Sequence, residues 1–417
     1  MKNNKRFPKP AYKQPARALV SVFGRLYLNA ALGVSKVITP RRKILDHELA
    51  RFKKKETTLI FAFRHTAVED APALLIGMKG SHLRFLYGRD VLNWAGWPTR
   101  VLFPALGFVA VENRGNNREG ADFLRREVKN PRFPLALAPE GQVSYHAFKS
   151  AAIEMGAANL ASWALESERS EVIILPIALG YRYAHDNEKF INELITRWET
   201  EAHQIVDKST PIDEQIRSIG FTTLALVNSF WSLGLKLTGT FVTQRDRICR
   251  AILRYCETLG NLQDSTGSII DRLFRVRFKA EDILYNTDRS KLNTYQLAYH
   301  DLEVKQQHIA HWASQIVDVL EYIDLSYLEG RHTTQRSIEV MLSLLDVLNR
   351  LRGGMINSRF SPKRKTAFIL PGSPIEVRKN FAQIAGRKER LGAIAQAIEE
   401  GLNEVSLDLE AVMLQST

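Results

Sequence analysis

Cysteine is almost absent from the sequence, since the 417 residues contain only Cys249 and Cys256. Two thiols cannot form the disulfide framework of a small secreted domain, so we expect a reducing compartment. An uninterrupted run of about 18 apolar residues is also missing, which argues against a transmembrane helix. The 45% of hydrophobic and 25% of charged residues are ordinary for a globular protein and argue against disorder, collagen and coiled coil.

Acidic residues are scarce in the first 56 residues, which hold 15 Lys and Arg against the three acids Asp46, Glu48 and Glu56. This segment therefore carries +12 of the formal net charge of +13. A basic segment binds nucleic acid or anionic lipid, or it simply remains solvated. Because it contains no recognised nucleic-acid-binding fold and no stacking-aromatic motif, we expect no nucleic-acid partner.

An amphipathic pattern with helical spacing covers residues 18–38 of this segment. Ser21, Arg25, Asn29 and Lys36 fall near one line of a helix, and the rest of its surface is apolar. Such a helix lies in a membrane interface with basic neighbours on anionic headgroups, or it packs on the core of its own protein. Arg25 interrupts the apolar stretch, unlike in a signal peptide. We predict a basic membrane-contact arm over residues 1–56.

Beyond the arm, apolar runs of strand length alternate with helical patterns. The runs at 57–63 (TTLIFAF) and 172–179 (VIILPIAL) are typical of buried strands. Shorter strands are predicted at 81–87, 108–111 and 134–138, and helices at 70–78, 120–128 and 151–165. This alternation predicts an α/β fold with a mostly parallel sheet flanked by helices.

The character of the sequence changes at about residue 190, where strand signals give way to helical patterns. An apolar β-like stretch, TAFILPGSPIEV, returns near residue 365 and precedes a final helix over 387–403. A large helical insertion into the α/β core explains this order. The predicted boundaries are 1–56 for the arm, 57–190 for the first part of the core, 191–362 for the insertion and 363–417 for the strand and helix that complete the core.

His65 and Asp70 form an H-x4-D pair directly after the first buried strand. Ligands of α/β sheets bind at the edge where strands end and loops begin, so His65 is predicted to lie at that edge. A hydroxyl group is a poor nucleophile at neutral pH, and imidazole is the side chain suited to take its proton. The pair predicts a general base steadied by a carboxylate, or alternatively a histidine capped by a local acid without chemistry.

Two further elements point to the same sheet edge. Glu140 and Gly141 follow the apolar stretch LALA in a Pro-Glu-Gly turn, and Arg114 follows a short strand in a Gly- and Asn-rich loop. An arginine beside flexible backbone is suited to bind an anion. Both elements have a plainer interpretation, as an ordinary acid at a strand end and as a solvated surface loop.

The order and spacing of these blocks resemble the glycerolipid (lysophospholipid) acyltransferase family. The corresponding blocks are RHTAVED at 64–70, Gly107 to Arg114, APEGQVS at 138–144, VIILPIAL with its central Pro176, and ILPGSPIEV near the C-terminus. The resemblance covers about 57–185 and 363–400, and the insertion between these ranges is not part of the usual family pattern.

The resemblance implies transfer of a fatty acyl group from acyl-CoA or acyl-carrier protein to a hydroxyl of a glycerophospholipid-type acceptor, such as a lysophospholipid. It implies His65 as the general base with Asp70, and Arg114, Glu140 and Gly141 as acceptor-binding residues. The acyl thioester is a co-substrate, and we expect neither a metal nor another cofactor. The expected partner surface is membrane lipid, with peripheral attachment on the cytoplasmic side.

Several positions depart from the family pattern. Arg64 replaces the usual Asn before the histidine, and Arg114 lies one residue further from Gly107 than is common. Gln142 and Val143 replace a Thr-Arg pair whose arginine the family often uses on an acceptor phosphate, which leaves the acceptor headgroup open. The alternative function is a non-catalytic, membrane-associated scaffold with the same fold.

Overall fold

The computed structural model of the protein describes residues 8–111, 118–149, 152–183, 188–329 and 333–415. The chain forms two compact units. An α/β unit consists of Phe7–Ala184 and Ser361–Thr417, and a helical unit includes His185–Phe360. Residues 7–56, predicted as an arm, belong to the α/β unit.

The α/β unit is built on one sheet, and its described residues contribute eight strands. The strands are β1 (Val34–Ile38), β2 (Thr57–Phe63), β3 (Arg84–Gly88), β4 (Val109–Val111), β5 (Leu135–Leu137), β6 (Glu171–Arg182), β7 (Lys365–Pro371) and β8 (Ile375–Glu376). Their order is β1-β7-β6-β2-β5-β3-β4, with β8 also beside β6. Pairing is parallel except where β7 and β8 run antiparallel to β6.

Helices flank this sheet, which confirms the predicted α/β fold. The helices of the α/β unit are α1 (Gln14–Ala30), α2 (Arg42–Lys53), α3 (Asp70–Gly77), α4 (Val91–Trp94), α5 (Trp97–Ala105), α6 (Arg118–Glu127), α7 (Gly156–Ala164), α14 (Val377–Phe381) and α15 (Arg387–Gln415). Those of the helical unit are α8 (Glu188–Ala202), α9 (Ile212–Phe230), α10 (Phe241–Leu259), α11 (Ile269–Glu281), α12 (Thr294–Tyr322) and α13 (Thr334–Leu351). In the described part of the chain, no helix has the length and hydropathy needed to cross a bilayer.

Strand β2 is covered on both faces of the sheet. Leu59, Phe61 and Phe63 pack with side chains of α2 and α3 on one face. Ile60 and Ala62 pack with side chains of α6, α7 and α15 on the other. A continuous apolar run is what a parallel strand between two helical layers requires. The core therefore fixes the carboxyl end of β2, where His65 follows, near the middle of the sheet.

The prediction of a single helix over 18–38 is wrong beyond residue 30. Helix α1 ends at Ala30, Gly33 adopts a left-handed φ of +68°, and the chain continues as β1. A Cβ atom at Gly33 would lie 3.0 Å from the backbone of Lys363, so the close approach to that segment also requires glycine. β1 then pairs in parallel with β7 and buries Val34. The β-branched residues of 34–38 follow strand propensity and not the helical spacing that precedes them.

In the helical unit, the two cysteines are core residues of α10. Cys249 and Cys256 are buried and form no disulfide. Burial raises the pKa of both thiols, that of Cys256 to about 12. Since the thiolate is the reactive form, these thiols are inert packing groups at neutral pH.

In the α/β unit, His82 is buried in an aromatic cluster just before β3. Its Nε2 atom donates a hydrogen bond to the Leu106 carbonyl oxygen at 2.8 Å. The rings of Tyr12 and Phe133 lie with their centroids 4.8 and 4.7 Å from the imidazole centroid. Burial lowers the pKa of His82 to about 4, the Leu106 hydrogen bond opposes this shift, and nearby arginines add to it.

This shift predicts a stability loss in mild acid. An unfolded histidine has a pKa of about 6.5, so below that pH the unfolded chain binds a proton that folded His82 excludes until pH approaches 4. The part of the free energy of unfolding that comes from this shift is complete above pH 6.5. We expect on the order of 2 kcal/mol of it to be lost as the pH falls to about 4.5. Urea unfolding of the wild type and of His82→Gln at both pH values measures it.

The variant keeps a neutral donor for the Leu106 carbonyl, so its free energy of unfolding should depend less steeply on pH. His47→Gln is the matched control, because the His47 side chain is 69% exposed. Equal pH dependence in wild type and His82→Gln would contradict the assignment.

Candidate active site

The structure brings His65 and Asp70 together at the carboxyl end of β2. His65 lies two residues after Phe63, and Asp70 is the first residue of α3. The Nδ1 atom of His65 is 2.9 Å from Oδ2 of Asp70. The Asp70 side chain is fully buried, whereas 27% of the His65 side chain remains exposed. The imidazole therefore connects a buried carboxylate to a solvent-accessible edge of the sheet.

Four more donors hold the Asp70 carboxylate, and the most distant of them is the Thr66 hydroxyl, 3.4 Å from Oδ1. The backbone amides of Thr66 and Ala67 donate to Oδ2 at 2.6 and 2.9 Å, and the Tyr181 hydroxyl donates to Oδ1 at 2.6 Å. A carboxylate only accepts hydrogen bonds, so a neutral His65 must carry its proton on Nδ1 to bond with it. The Nε2 atom of neutral His65 then keeps a lone pair that can accept a proton from a substrate.

Tyr181, near the end of β6, is a functional candidate that the sequence analysis missed. Its side chain is buried, and burial raises its pKa well above the usual value. The negative charges of Asp70 and Glu69 raise the pKa further. Tyr181 is therefore a neutral hydroxyl donor at the pH values where an imidazole base works. No local motif marks it, because 111 residues separate it from Asp70.

A buried ion pair lies beside Tyr181. The ammonium group of Lys365 contacts the Glu69 carboxylate, and Ser361 donates a hydrogen bond to the same carboxylate at 3.1 Å. The Lys365 nitrogen also lies 5.6 Å from the centroid of the Tyr181 ring. Glu69 directly precedes Asp70, so Lys365 offsets the charge of the second acid in this buried region.

Glu140 reaches the backbone of His65 from the turn after β5. Its Oε2 atom accepts a hydrogen bond from the His65 amide at 2.9 Å, and its Oε1 atom pairs with the guanidinium of Arg64. Both the Glu140 and the Arg64 side chains are fully buried. The contacts that the structure shows for Glu140 are thus internal, and they position the residue that bears the imidazole. Its predicted role in binding an acceptor headgroup stays a prediction.

Arg64, which directly precedes His65, is the centre of a buried hydrogen-bond network. Its guanidinium donates to Ser406 Oγ of α15 at 2.8 Å and to the His146 carbonyl at 2.9 Å. It also donates to the Lys149 carbonyl. A buried arginine with this many acceptors ties the end of β2 to the segment after the Pro-Glu-Gly turn and to the C-terminal helix.

Gly141 shapes the turn that brings this segment to His65. Its φ of +71° lies in the left-handed region that favours glycine. The Gly141 amide donates to the Ala138 carbonyl at 3.1 Å, and the Ser144 amide donates to the His65 carbonyl at 2.8 Å. The Glu140 carboxylate and the Ser144 amide therefore hydrogen-bond to the backbone amide and the backbone carbonyl of His65. Binding of an acceptor by Gly141 remains a prediction.

Arg114, the third predicted acceptor-binding residue, lies outside the described residues. Strand β4 ends at Val111 and runs parallel to β3, which runs parallel to β5. Since β5 is also parallel to β2, the carboxyl end of β4 belongs to the same sheet edge as His65.

No protein-family model matches the chain, and neither does any curated protein. Within the described ranges, no three His, Cys, Asp or Glu side chains are grouped as metal ligands would be. The site is therefore characterised by its own geometry: one partly exposed imidazole, oriented by a buried carboxylate and held by a buried Arg–Glu pair.

Proposed function

We propose that the protein transfers a fatty acyl group from acyl-CoA or acyl-carrier protein to a hydroxyl of a glycerophospholipid-type acceptor. The observation that carries the proposal is the 2.9 Å contact between His65 Nδ1 and Asp70, with the imidazole partly exposed at the carboxyl edge of the sheet. The ordered blocks that resemble the glycerolipid acyltransferases support it. They include the histidine, the aspartate and the Pro-Glu-Gly turn that packs against them.

In the proposed reaction, His65 acts as the general base and the acceptor lipid is the nucleophile. Its hydroxyl gives its proton to Nε2 while its oxygen attacks the thioester carbonyl carbon. The tetrahedral intermediate collapses by breaking the carbon–sulfur bond, and the imidazolium returns the proton to the departing thiolate. A base of this kind contributes about 10² to 10⁴ in rate. No covalent acyl-protein intermediate is required.

Asp70 and Tyr181 support that base without touching the substrate. Asp70 fixes the Nδ1–H tautomer and stabilises the imidazolium that forms during attack, as the carboxylate of a catalytic triad does. Tyr181 holds the second carboxylate oxygen. Glu140 acts through the His65 backbone amide. Arg114 is proposed to bind the anionic part of the acceptor headgroup, on the strength of the family resemblance.

The outer face of α1 supports a reaction at a membrane surface. Helix α1 turns a stripe containing Arg17, Val20 and Leu28 inward and leaves a broad apolar face in solvent. The exposed side chains of that face are Leu19, Val22, Phe23, Leu26 and Tyr27, all more than half exposed. Their spacing is that of one face of a helix. Lys9, Lys13 and Arg25 are exposed nearby in sequence and are suited to anionic headgroups.

These features lead us to propose peripheral attachment to the cytoplasmic side of a membrane through this face of α1. A helix of this kind lies in the headgroup region, with its apolar face buried about 5–10 Å deep. Attachment through α1 would bring the α/β unit, which carries the proposed base, to the surface where the acceptor lipid lies.

Replacing the base should abolish turnover. His65→Ala removes the lone pair on Nε2, and we expect acyl transfer from radiolabelled acyl-CoA to an extracted lipid mixture to fall about 10² to 10⁴-fold. The matched control is His47→Ala, which removes an exposed imidazole from the same unit. Turnover of the His65 variant near that of the wild type would refute the assignment. A wild type that binds vesicles without any turnover would instead support the scaffold alternative.

A single charge on α1 should weaken vesicle binding. Leu26→Asp places a carboxylate in the centre of the apolar face, and we expect at least tenfold weaker sedimentation with vesicles of phosphatidylcholine and phosphatidylglycerol. Leu407→Asp is the control, since Leu407 is an exposed leucine of α15. Equal binding by the two variants would contradict the proposed attachment through α1.

A further inference from the structure

The α/β unit contains a cavity of about 420 Å³ that the proposed acyl transfer does not use. Ends of α6, α7, α14 and α15 surround it. Its charged and aromatic lining consists of Arg125, Trp163, Glu166, Arg378, Arg387 and Arg390. A volume in this range suits a small molecule.

The cavity lies at the edge of the sheet opposite His65. Helix α7 leads into β6 at Glu171, and the carboxylate of Glu171 accepts a hydrogen bond from the Arg378 amide at 2.6 Å. Glu171 pairs with Thr57, the first residue of β2. His65 follows the last residue of β2, so the length of that strand, about 20 Å, separates the two places. Ligand binding here does not depend on the proposed function.

The lining is strongly cationic, with four arginines against one glutamate. The Glu166 carboxylate is shared between Lys129, at 2.7 Å, and Arg125, at 3.4 Å. Lys129 and Arg125 thus share the one acid of the lining, and among the described residues Arg378, Arg387 and Arg390 form no ion pair. Arginine side chains that line one concavity raise its positive potential and attract an anion.

Two of these guanidinium groups are fixed by backbone carbonyls. Arg378 donates to the carbonyls of Leu165 and Ser167 at 3.0 and 2.9 Å, and Arg390 donates to the Ile384 carbonyl at 3.0 Å. Among the residues that the structure describes, the buried Nε atom of each has no hydrogen-bond partner. Because the bonds to backbone carbonyls hold the two guanidinium groups in place, their positive charges are preorganised to attract a phosphate.

Arg387 adds an exposed donor at the start of α15. It forms no hydrogen bond or ion pair within the described residues, and it is the first residue of a 29-residue helix. The amino end of such a helix also favours negative charge. The indole of Trp163, in the same lining, offers a flat apolar surface for a ring.

We propose that this cavity binds a phosphorylated, ring-containing small molecule about as large as a mononucleotide. The arginines bind the phosphate, and Trp163 contacts the ring. The cavity is thus a second ligand site of the α/β unit, at the amino ends of the parallel strands, and it goes beyond the proposed acyl transfer.

Calorimetric titration of the full chain with AMP, pyrophosphate and adenosine tests the proposal. We expect saturable binding of AMP, weaker binding of pyrophosphate, and binding of adenosine at least tenfold weaker than that of AMP because it lacks the phosphate. Arg387→Gln should weaken AMP binding at least tenfold, since it removes a charge without disturbing any described contact. Lys388→Gln, which removes the neighbouring exposed charge outside the lining, should change it less than twofold.

Each outcome decides part of the proposal. Absence of saturable binding by both AMP and pyrophosphate would overturn it, as would equal losses in Arg387→Gln and Lys388→Gln, which would indicate nonspecific charge attraction. Equal affinity for AMP and pyrophosphate would overturn the ring contact with Trp163. Because none of these readouts involves acyl transfer, their failure is distinguishable from failure of the proposed function.

Discussion

The Asp70 carboxylate is fully buried, and a buried carboxylate is costly unless donors replace the water it has lost. Two backbone amides after β2, the hydroxyls of Thr66 and Tyr181 and the His65 imidazole supply those donors. Satisfying this one group therefore links β2, α3 and β6 and fixes the orientation of the imidazole. The donors that the buried Asp70 carboxylate requires are thus what fix the ring of a histidine at a strand end.

The Arg64–Glu140 pair gives the backbone beside that imidazole a second constraint. Both side chains are fully buried, and removing one partner of such a pair costs about 3–5 kcal/mol in general, because the other charge is left unpaired. Glu140 holds the His65 amide, while Arg64 extends the network to α15. The Arg64–Glu140 network thus holds the backbone of His65, and the Asp70 network orients its ring. This division explains why Glu140 can matter at the site without facing solvent.

Local sequence patterns are sufficient to predict a strand that is buried on both faces. The run TTLIFAF is strand β2 residue for residue, because a strand buried on both faces has to be apolar throughout. The His65–Asp70 contact was also predictable, since five residues across a turn bring the two side chains together. The helix predicted over 18–38 wrongly includes β1. Pairing with β7, more than 300 residues away, decides the conformation of 34–38, and the local pattern does not show this pairing. Tyr181 and the role of Arg64 were missed for the same reason: their partners are distant in sequence, and a single sequence carries no signal for such contacts.

The proton position on His65 tests the account most directly. In protein labelled with ¹⁵N-histidine, at about pH 8, where a free imidazole is neutral, the account predicts a proton on Nδ1 and none on Nε2, with the resonances assigned by their loss in His65→Ala. It further predicts that Asp70→Asn lets the Nε2–H tautomer appear, because an amide can donate to Nδ1 where a carboxylate cannot. A wild-type His65 with its proton mainly on Nε2 would contradict the account.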